Sequence, residues 1–200
     1  MYDADGNISA PVERCVTVES WGGYAAVAAK WEYVESEIAE GDMTTATYEV
    51  GEAECYNDEI SCTGTSGTVE VFDCYTINEG ILEIKADGTF VFSSDENEEY
   101  TMDAESAENC SQVIENKDYV YNSTGNWAYV SAEKRLTLIE YSYSETEVGG
   151  ETVSETVAPG EGYVLFHGIA ELNGNTFVFY IEEDFGETDS QETSKITFKK

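Results

Sequence analysis

Apolar and polar residues alternate with a period of two along most of this chain, the pattern of half-buried β-strands. The clearest instance is CYTINEGILEIKADGTFVF at residues 74–92. Its β-rich runs, 81–86 and 89–92, flank Asp87-Gly88, a dipeptide that supplies the positive φ angles of a tight turn, so the two runs are predicted to pair as a hairpin. Further strands are predicted at 125–130, 135–145, 162–171, 176–182 and 195–199. Ala132-Glu133-Lys134 and Asn173-Gly174-Asn175 read as hairpin connections, and the stretch from Gly149-Gly150 to Gly160 as a longer loop.

The first half is less regular. Residues 1–20 read as an N-terminal extension with one strand candidate at 13–19. Tyr24, Val27, Trp31, Val34 and Ile38 have helical spacing, while 31–34 also suits a strand; the reading adopted is a short helical lead-in and a strand from near Lys30. After a turn at Gly41-Asp42 comes a Thr- and Tyr-rich strand at 43–50. Residues 52–67 read as an exposed excursion, 68–77 as a strand, and 93–119 as an acidic connection holding a short helix at 103–114 capped by Asp103. About eight to ten strands joined mainly to sequence neighbours make an all-β, up-and-down antiparallel meander. It closes most naturally into a β-barrel with one or two short helices, a two-sheet sandwich being the alternative. The length suits one barrel domain over 21–200.

Alternation also assigns faces. Phe90 and Phe92 share one, as do Trp127 with Tyr129, Leu136 with Leu138, Val164 with Phe166, and Phe177 with Phe179 and Ile181. Pointing inward, these side chains form either a filled core, the favoured reading, or the lining of a cavity for a small apolar ligand. In the second case Tyr129 or His167 would orient the ligand.

Charge narrows the partners. Forty-two acidic residues against nine Lys and Arg give a formal net charge of −33, which repels phosphate backbones and anionic lipid surfaces, so nucleic acid is not an expected partner. The hydrophobic fraction of 41% is nevertheless ample for a core. The densest acidic run is Asp95, Glu96, Glu98, Glu99, Asp103, Glu105 and Glu108. It reads as a solvated surface, with loosely bound calcium as the alternative. A marine or halophilic habitat would make such charge tolerable. No apolar run approaches the ~20 residues of a membrane-spanning helix.

Chemistry-bearing signals are sparse, and the expectation is a non-enzyme. His167 is the only histidine and lies in the apolar strand YVLFHGIAEL, where it reads as a barrel-wall or rim side chain. No nucleophile elbow, zinc helix or phosphate loop accompanies it. Asp3 to Asn7 resembles the opening of a calcium loop, but its twelfth position is Arg14, which rejects an EF-hand. Glu140 and Glu171 each sit on a strand amid apolar neighbours; a carboxylate hydrolase using them is the low-ranked alternative to outward, solvated placement. Cys15, Cys55, Cys62, Cys74 and Cys110 contain no CxxC pair, so disulfides are favoured over metal ligation, with buried thiols as the alternative. The pairing expected is Cys55 with Cys62 and Cys74 with Cys110, leaving Cys15 as a free or intermolecular thiol, although spacing does not fix connectivity.

The succession of Trp31, Cys74, ILEIKADGTFVF, Cys110, GNWAYV, RLTLIEY, IAELNGNTFVFYI and ITFKK resembles the lipocalin-like proteins exported by Bacteroidetes. The matching positions are Cys74, Asp87, Gly88, Thr89, Phe90, Cys110, Gly125, Trp127, Phe198 and Lys199, over residues 28–200. The resemblance implies a fold and an export route to the cell surface or periplasm, without a defined ligand. Met1 is followed at once by polar residues, so an export signal, with or without a lipid anchor, is expected to have been removed. Two functions follow as expectations: a non-catalytic barrel binding a small apolar or amphipathic ligand, or an extracellular subunit assembling with like subunits through its N-terminal segment or an edge strand. The charge makes a separate prediction: because the Debye length shrinks from about 30 Å at 0.01 M to about 3 Å at 1 M salt, the melting temperature rises over that range, as calorimetry in NaCl will show.

Overall fold

A computed structural model describes residues 21–40, 43–183 and 192–200. The strand candidate at 13–19, Cys15, the Asp3 segment and the turn at Gly41-Asp42 lie outside them. Among the described residues the alternation resolves into β1 (Ala29–Glu40), β2 (Met43–Glu49), β3 (Ala53–Ser61), β4 (Thr68–Ile84), β5 (Thr89–Thr101), β6 (Ile114–Val130), β7 (Arg135–Glu147), β8 (Thr152–Thr156), β9 (Tyr163–Asn173), β10 (Thr176–Glu183) and β11 (Glu192–Lys199). A 3-10 turn at Ala25–Val27 precedes β1, and helix α1 (Asp103–Asn109) joins β5 to β6.

Every strand pairing is antiparallel. The order β1-β11-β10-β9-β7-β6-β5-β4 returns to β1 through a β1–β4 ladder, so eight strands close into a barrel. The closing ladder is short: Ala29, Lys30, Trp31 and Glu32 face Ile84, Glu83, Leu82 and Ile81. Beyond it the two strands part, each at a register shift, between Tyr33 and Glu35 in β1 and between Ile77 and Glu79 in β4. β1 then takes β2 as its neighbour and β4 takes β3. Gly80 sits at the parting, where a side chain would begin 2.8 Å from Cβ of Tyr33; only glycine lets β1 pass so close.

One end of the barrel is closed. Gly22 inserts between Trp127 and Tyr129 through Gly22 N–H to Trp127 O (2.7 Å) and Tyr129 N–H to Gly22 O (2.9 Å), and Tyr24 stacks on Tyr129. Above this plug lie Val27, Trp31, Leu82, Ile84, Phe90, Trp127, Leu136, Leu138, Phe166, Phe177, Phe179 and Phe198, packed as one cluster. Burying each such side chain contributes roughly 1.5–3 kcal/mol. The two indoles are also polar-satisfied, Trp31 Nε1–H donating to Val27 O and Trp127 Nε1–H to Lys85 O, both at 2.8 Å.

Several sequence expectations need correction. Residues 52–67 are not a plain excursion, since β3 occupies most of them, and 68–77 is the first part of one 17-residue strand. The acidic connection at 93–119 is largely β5 and β6, because strands paired on both sides override the poor β-propensity of SSDENEEYT. The N-cap of α1 is Met102, with Asp103 in the first turn. The loop from Gly149 to Gly160 contains β8. At Asp87-Gly88 only Gly88 has positive φ. Lys85 N–H donates to Thr89 O at 2.9 Å and Gly88 N–H to Lys85 O at 3.2 Å, a three-residue loop with a glycine bulge rather than a two-residue turn. In β9 an extra residue at Leu165 turns Val164 to the outside, away from the face of Phe166.

The disulfide pairing is also different: Cys55–Cys74 and Cys62–Cys110. Cys55 and Cys74 are directly opposed in the β3–β4 ladder with Cα atoms 4.1 Å apart, within bonding reach without any movement of the strands. Cys62 leaves the end of β3 and meets Cys110 at the C-terminus of α1, where Thr63 N–H also donates to Ala107 O. The longer closure spans 48 residues, so replacing Cys62 and Cys110 together by Ser is expected to lower unfolding free energy by about 2–4 kcal/mol in urea titrations. Peptide mapping without reductant will recover 55–74 and 62–110 as the linked pairs.

Candidate functional site

Above the aromatic core the inner face of the sheet changes character. In the register of β5, β6 and β7 three rows of side chains face the barrel axis: Phe90, Gly125 and Glu140; Phe92, Ser123 and Tyr143; Ser94, Tyr121 and Glu145. The first row borders the core, where Gly125 has no room for a side chain because a Cβ would collide with the Ile139 carbonyl oxygen and lie 2.8 Å from the Phe90 ring. Ser123 is at the centre of the grid, and its residue is 1% exposed. Its Oγ makes no well-formed hydrogen bond; its polar neighbour is the Tyr121 hydroxyl, whose ionised form a bond from Ser123 would favour.

Glu140 is also buried, at 5% exposure. It accepts a 2.6 Å hydrogen bond from the Tyr121 hydroxyl through Oε2. Burial, followed by that bond to the carboxylate, pushes the Tyr121 phenol well above its usual range, so Tyr121 acts as a proton-bearing donor. Tyr121 lies nearly parallel to Tyr143 at 6.2 Å between ring centroids and tilted to Phe92 at 6.1 Å. Three rings thus surround a buried serine and carboxyl.

Further toward the open end the same face carries Glu96, Glu98, Tyr119, Lys117 and Glu147. Ser94 donates to Glu96, and burial, then Glu96, raises the pKa of Tyr75. The Glu98 carboxyl is raised by burial and then by Asp73, Glu145 and Glu96. Lys117 is held between Glu115 (3.7 Å) and Glu147 (3.6 Å). The acidic run expected as one solvated loop is therefore split: Glu96 and Glu98 face inward, Asp95 and Glu99 outward, and Asp103, Glu105 and Glu108 lie on α1. Among the described residues no three His, Cys, Asp or Glu side chains gather as a metal would require.

Of the residues expected to line a cavity, Phe90, Trp127, Tyr129, Leu136, Leu138, Phe166, Phe177 and Phe179 pack against one another in the core, and Phe92 borders it. The hydroxyl of Tyr129 is spent on Ala170 O at 2.9 Å. His167 does not face inward. It lies on the outer surface opposite Thr137, whose Oγ1 is 2.9 Å from Nδ1, and burial, then Arg135, lowers its pKa. Glu171 also turns outward, 2.6 Å from Lys134 Nζ. These two residues line a shallow depression of about 330 Å³ at the closed end with Tyr24, Tyr129 and Leu172, where their charges offset each other.

Sequence reading missed Ser123, Tyr121 and Tyr143. A register shift in β7 opposite Thr124/Gly125 inserts Tyr141 and reverses the alternation, so Tyr143 rather than Ser142 points inward. No family model, curated protein or solved structure matches this chain.

The electrostatics of this face can be checked at Glu98. Its pKa in the fold is raised above 4.5, so ionising it costs stability at neutral pH, and that cost disappears as pH falls below the unfolded-state value. Glu98→Gln is expected to melt higher than the parent at pH 7 and at the same temperature near pH 3.5, by calorimetry at fixed ionic strength.

Proposed function

We propose that this protein is an exported, lipocalin-like barrel that binds an amphipathic small molecule without transforming it. The ligand rests on the inner face of β5, β6 and β7, its apolar part toward Phe92 and its polar part toward Ser123 and Glu140. The observation that carries this reading is the buried Ser123 hydroxyl at the centre of a ring-lined face, which has Tyr121 as its polar neighbour and no well-formed hydrogen bond of its own. A buried polar atom without a partner costs roughly 1–3 kcal/mol, and a bound polar group would supply the missing bond. The packed aromatic core favours an amphipathic ligand at the open end over a wholly apolar one deep inside. Two disulfides support an oxidising, non-cytoplasmic location, and the resemblance to exported Bacteroidetes proteins suggests the periplasm or the cell surface.

A second reading, an extracellular interaction subunit, is favoured by one feature. All five residues of β8 are exposed, and among the described residues this strand pairs only with β7, so its outer edge is open to strand addition.

Binding of a dansylated alkyl amphiphile, followed by fluorescence, separates the two readings. The ligand reading expects saturable binding to a monomer, weakened at least tenfold by Tyr143→Ala and Ser123→Leu with folding retained. Phe177→Leu should lower the melting temperature while largely sparing affinity. Absence of binding, together with concentration-dependent sedimentation, would favour assembly.

A further inference from the structure

Resting on the reading that the β5–β6–β7 face is the binding site, we infer that the polar end of the ligand is an organic ammonium group, seated between Glu140 and Ser123 under the rings of Phe92, Tyr121 and Tyr143. Glu140 carries the argument. It is 5% exposed, and among the described residues its one hydrogen bond comes from Tyr121 and no Lys, Arg or His lies within ion-pair distance. A buried carboxylate is stable only when paired, and one phenol supplies a fraction of what is lost from water. Lys117, the cation on the same face, is six residues along β6 from Ser123, about 20 Å of strand, and is already engaged by Glu115 and Glu147.

Ser123 supplies the independent observation. Its hydroxyl oxygen is an unfilled acceptor inside the same grid, and an ammonium group has several N–H donors to distribute between it and the carboxylate. The surrounding rings favour a cation as well, because their faces are electron-rich. An anionic end group would meet Glu96, Glu98 and Glu145 on the same face. A neutral hydroxyl could bond to Ser123 but would leave the Glu140 charge uncompensated. An inorganic ion would require several converging oxygens, whereas the groups around Glu140 are mainly aromatic.

The test uses octylammonium, octanoate and 1-octanol as probes, titrated calorimetrically into the full chain in 0.15 M NaCl. The expected order places octylammonium at least tenfold tighter than either other probe. Glu140→Gln, which preserves shape and the Tyr121 contact, should erase most of that preference. Ser123→Ala should reduce octylammonium affinity severalfold, and provides a second variant should Glu140→Gln not fold. Glu99→Gln, on the outer face, should change nothing, which distinguishes the site from general attraction to an acidic protein. Octanoate or octanol binding as tightly as octylammonium, or unchanged amine affinity in both Glu140→Gln and Ser123→Ala, overturns the ammonium inference. If Tyr143→Ala still weakens every probe in that event, the site survives; if it weakens none, the site reading fails too.

Discussion

The four-residue ladder between β1 and β4 is the constraint on which the rest of the structure depends. It converts an open sheet into a barrel, and it places Trp31 beside Leu82 and Ala29 beside Ile84, so closure and core formation are the same event. It is also short, because Tyr33 and Gly80 mark the point where the strands separate. Had the ladder continued, β2 and β3 would have no place in the sheet and the barrel would be uniform from end to end. Its interruption produces two regions with different physics.

The closed region is held by burial of aromatic and aliphatic side chains in one cluster. The flared region lacks such a cluster, and other interactions take over there. β4, β5, β6 and β7 continue as long ladders, the Cys55–Cys74 bond staples β3 to β4, and the Cys62–Cys110 bond ties the end of β3 to α1. Ser106, fully buried in α1, accepts the Val113 N–H and so anchors the turn into β6. Covalent and backbone bonds do in this half what hydrophobic contacts do in the other. That division leaves the inner face of this half partly polar.

Legibility in the sequence divided along the same line. Where alternation is hydrophobic, as at Phe177–Phe179 or Leu136–Leu138, period two identified the strand and its inward face, and the meander followed from the hairpin signals. Where both faces are polar, as in β5 beyond Ser94 (DENEEYT) and the start of β6 (IENKDY), composition resembled a loop and the strands were hidden, because their stability comes from neighbours on both sides. Bulges were also hidden. One extra residue at Tyr141 and one at Leu165 reverse which side chains face inward, and no local propensity announces such a reversal. The cysteine pairing depended on β3, so reading 52–67 as an excursion carried the wrong connectivity with it. Glu140 stood out in sequence as a carboxylate among apolar residues, whereas Ser123 became informative only once its neighbours were known.

The net charge of −33 gains a more specific meaning from this geometry. Among the described residues most of the carboxylates are exposed, where screening makes each inexpensive. Glu96 and Glu98 instead line the barrel's inner face beside Tyr75 and Tyr119, and burial together with neighbouring carboxylates acts against the ionised form of Glu98. A protein selected only for an acidic surface has no reason to carry charge inward, since inward charge lowers stability without aiding solubility. The phenols respond to the same field. Tyr33, Tyr75, Tyr119 and Tyr121 are all raised, burial being the largest cause in each, so they keep their protons, and Tyr75 and Tyr121 donate theirs to Glu96 and Glu140. The inner face is therefore a negative, donor-rich, ring-lined surface built on rigid strands, the features on which the proposed ammonium ligand rests.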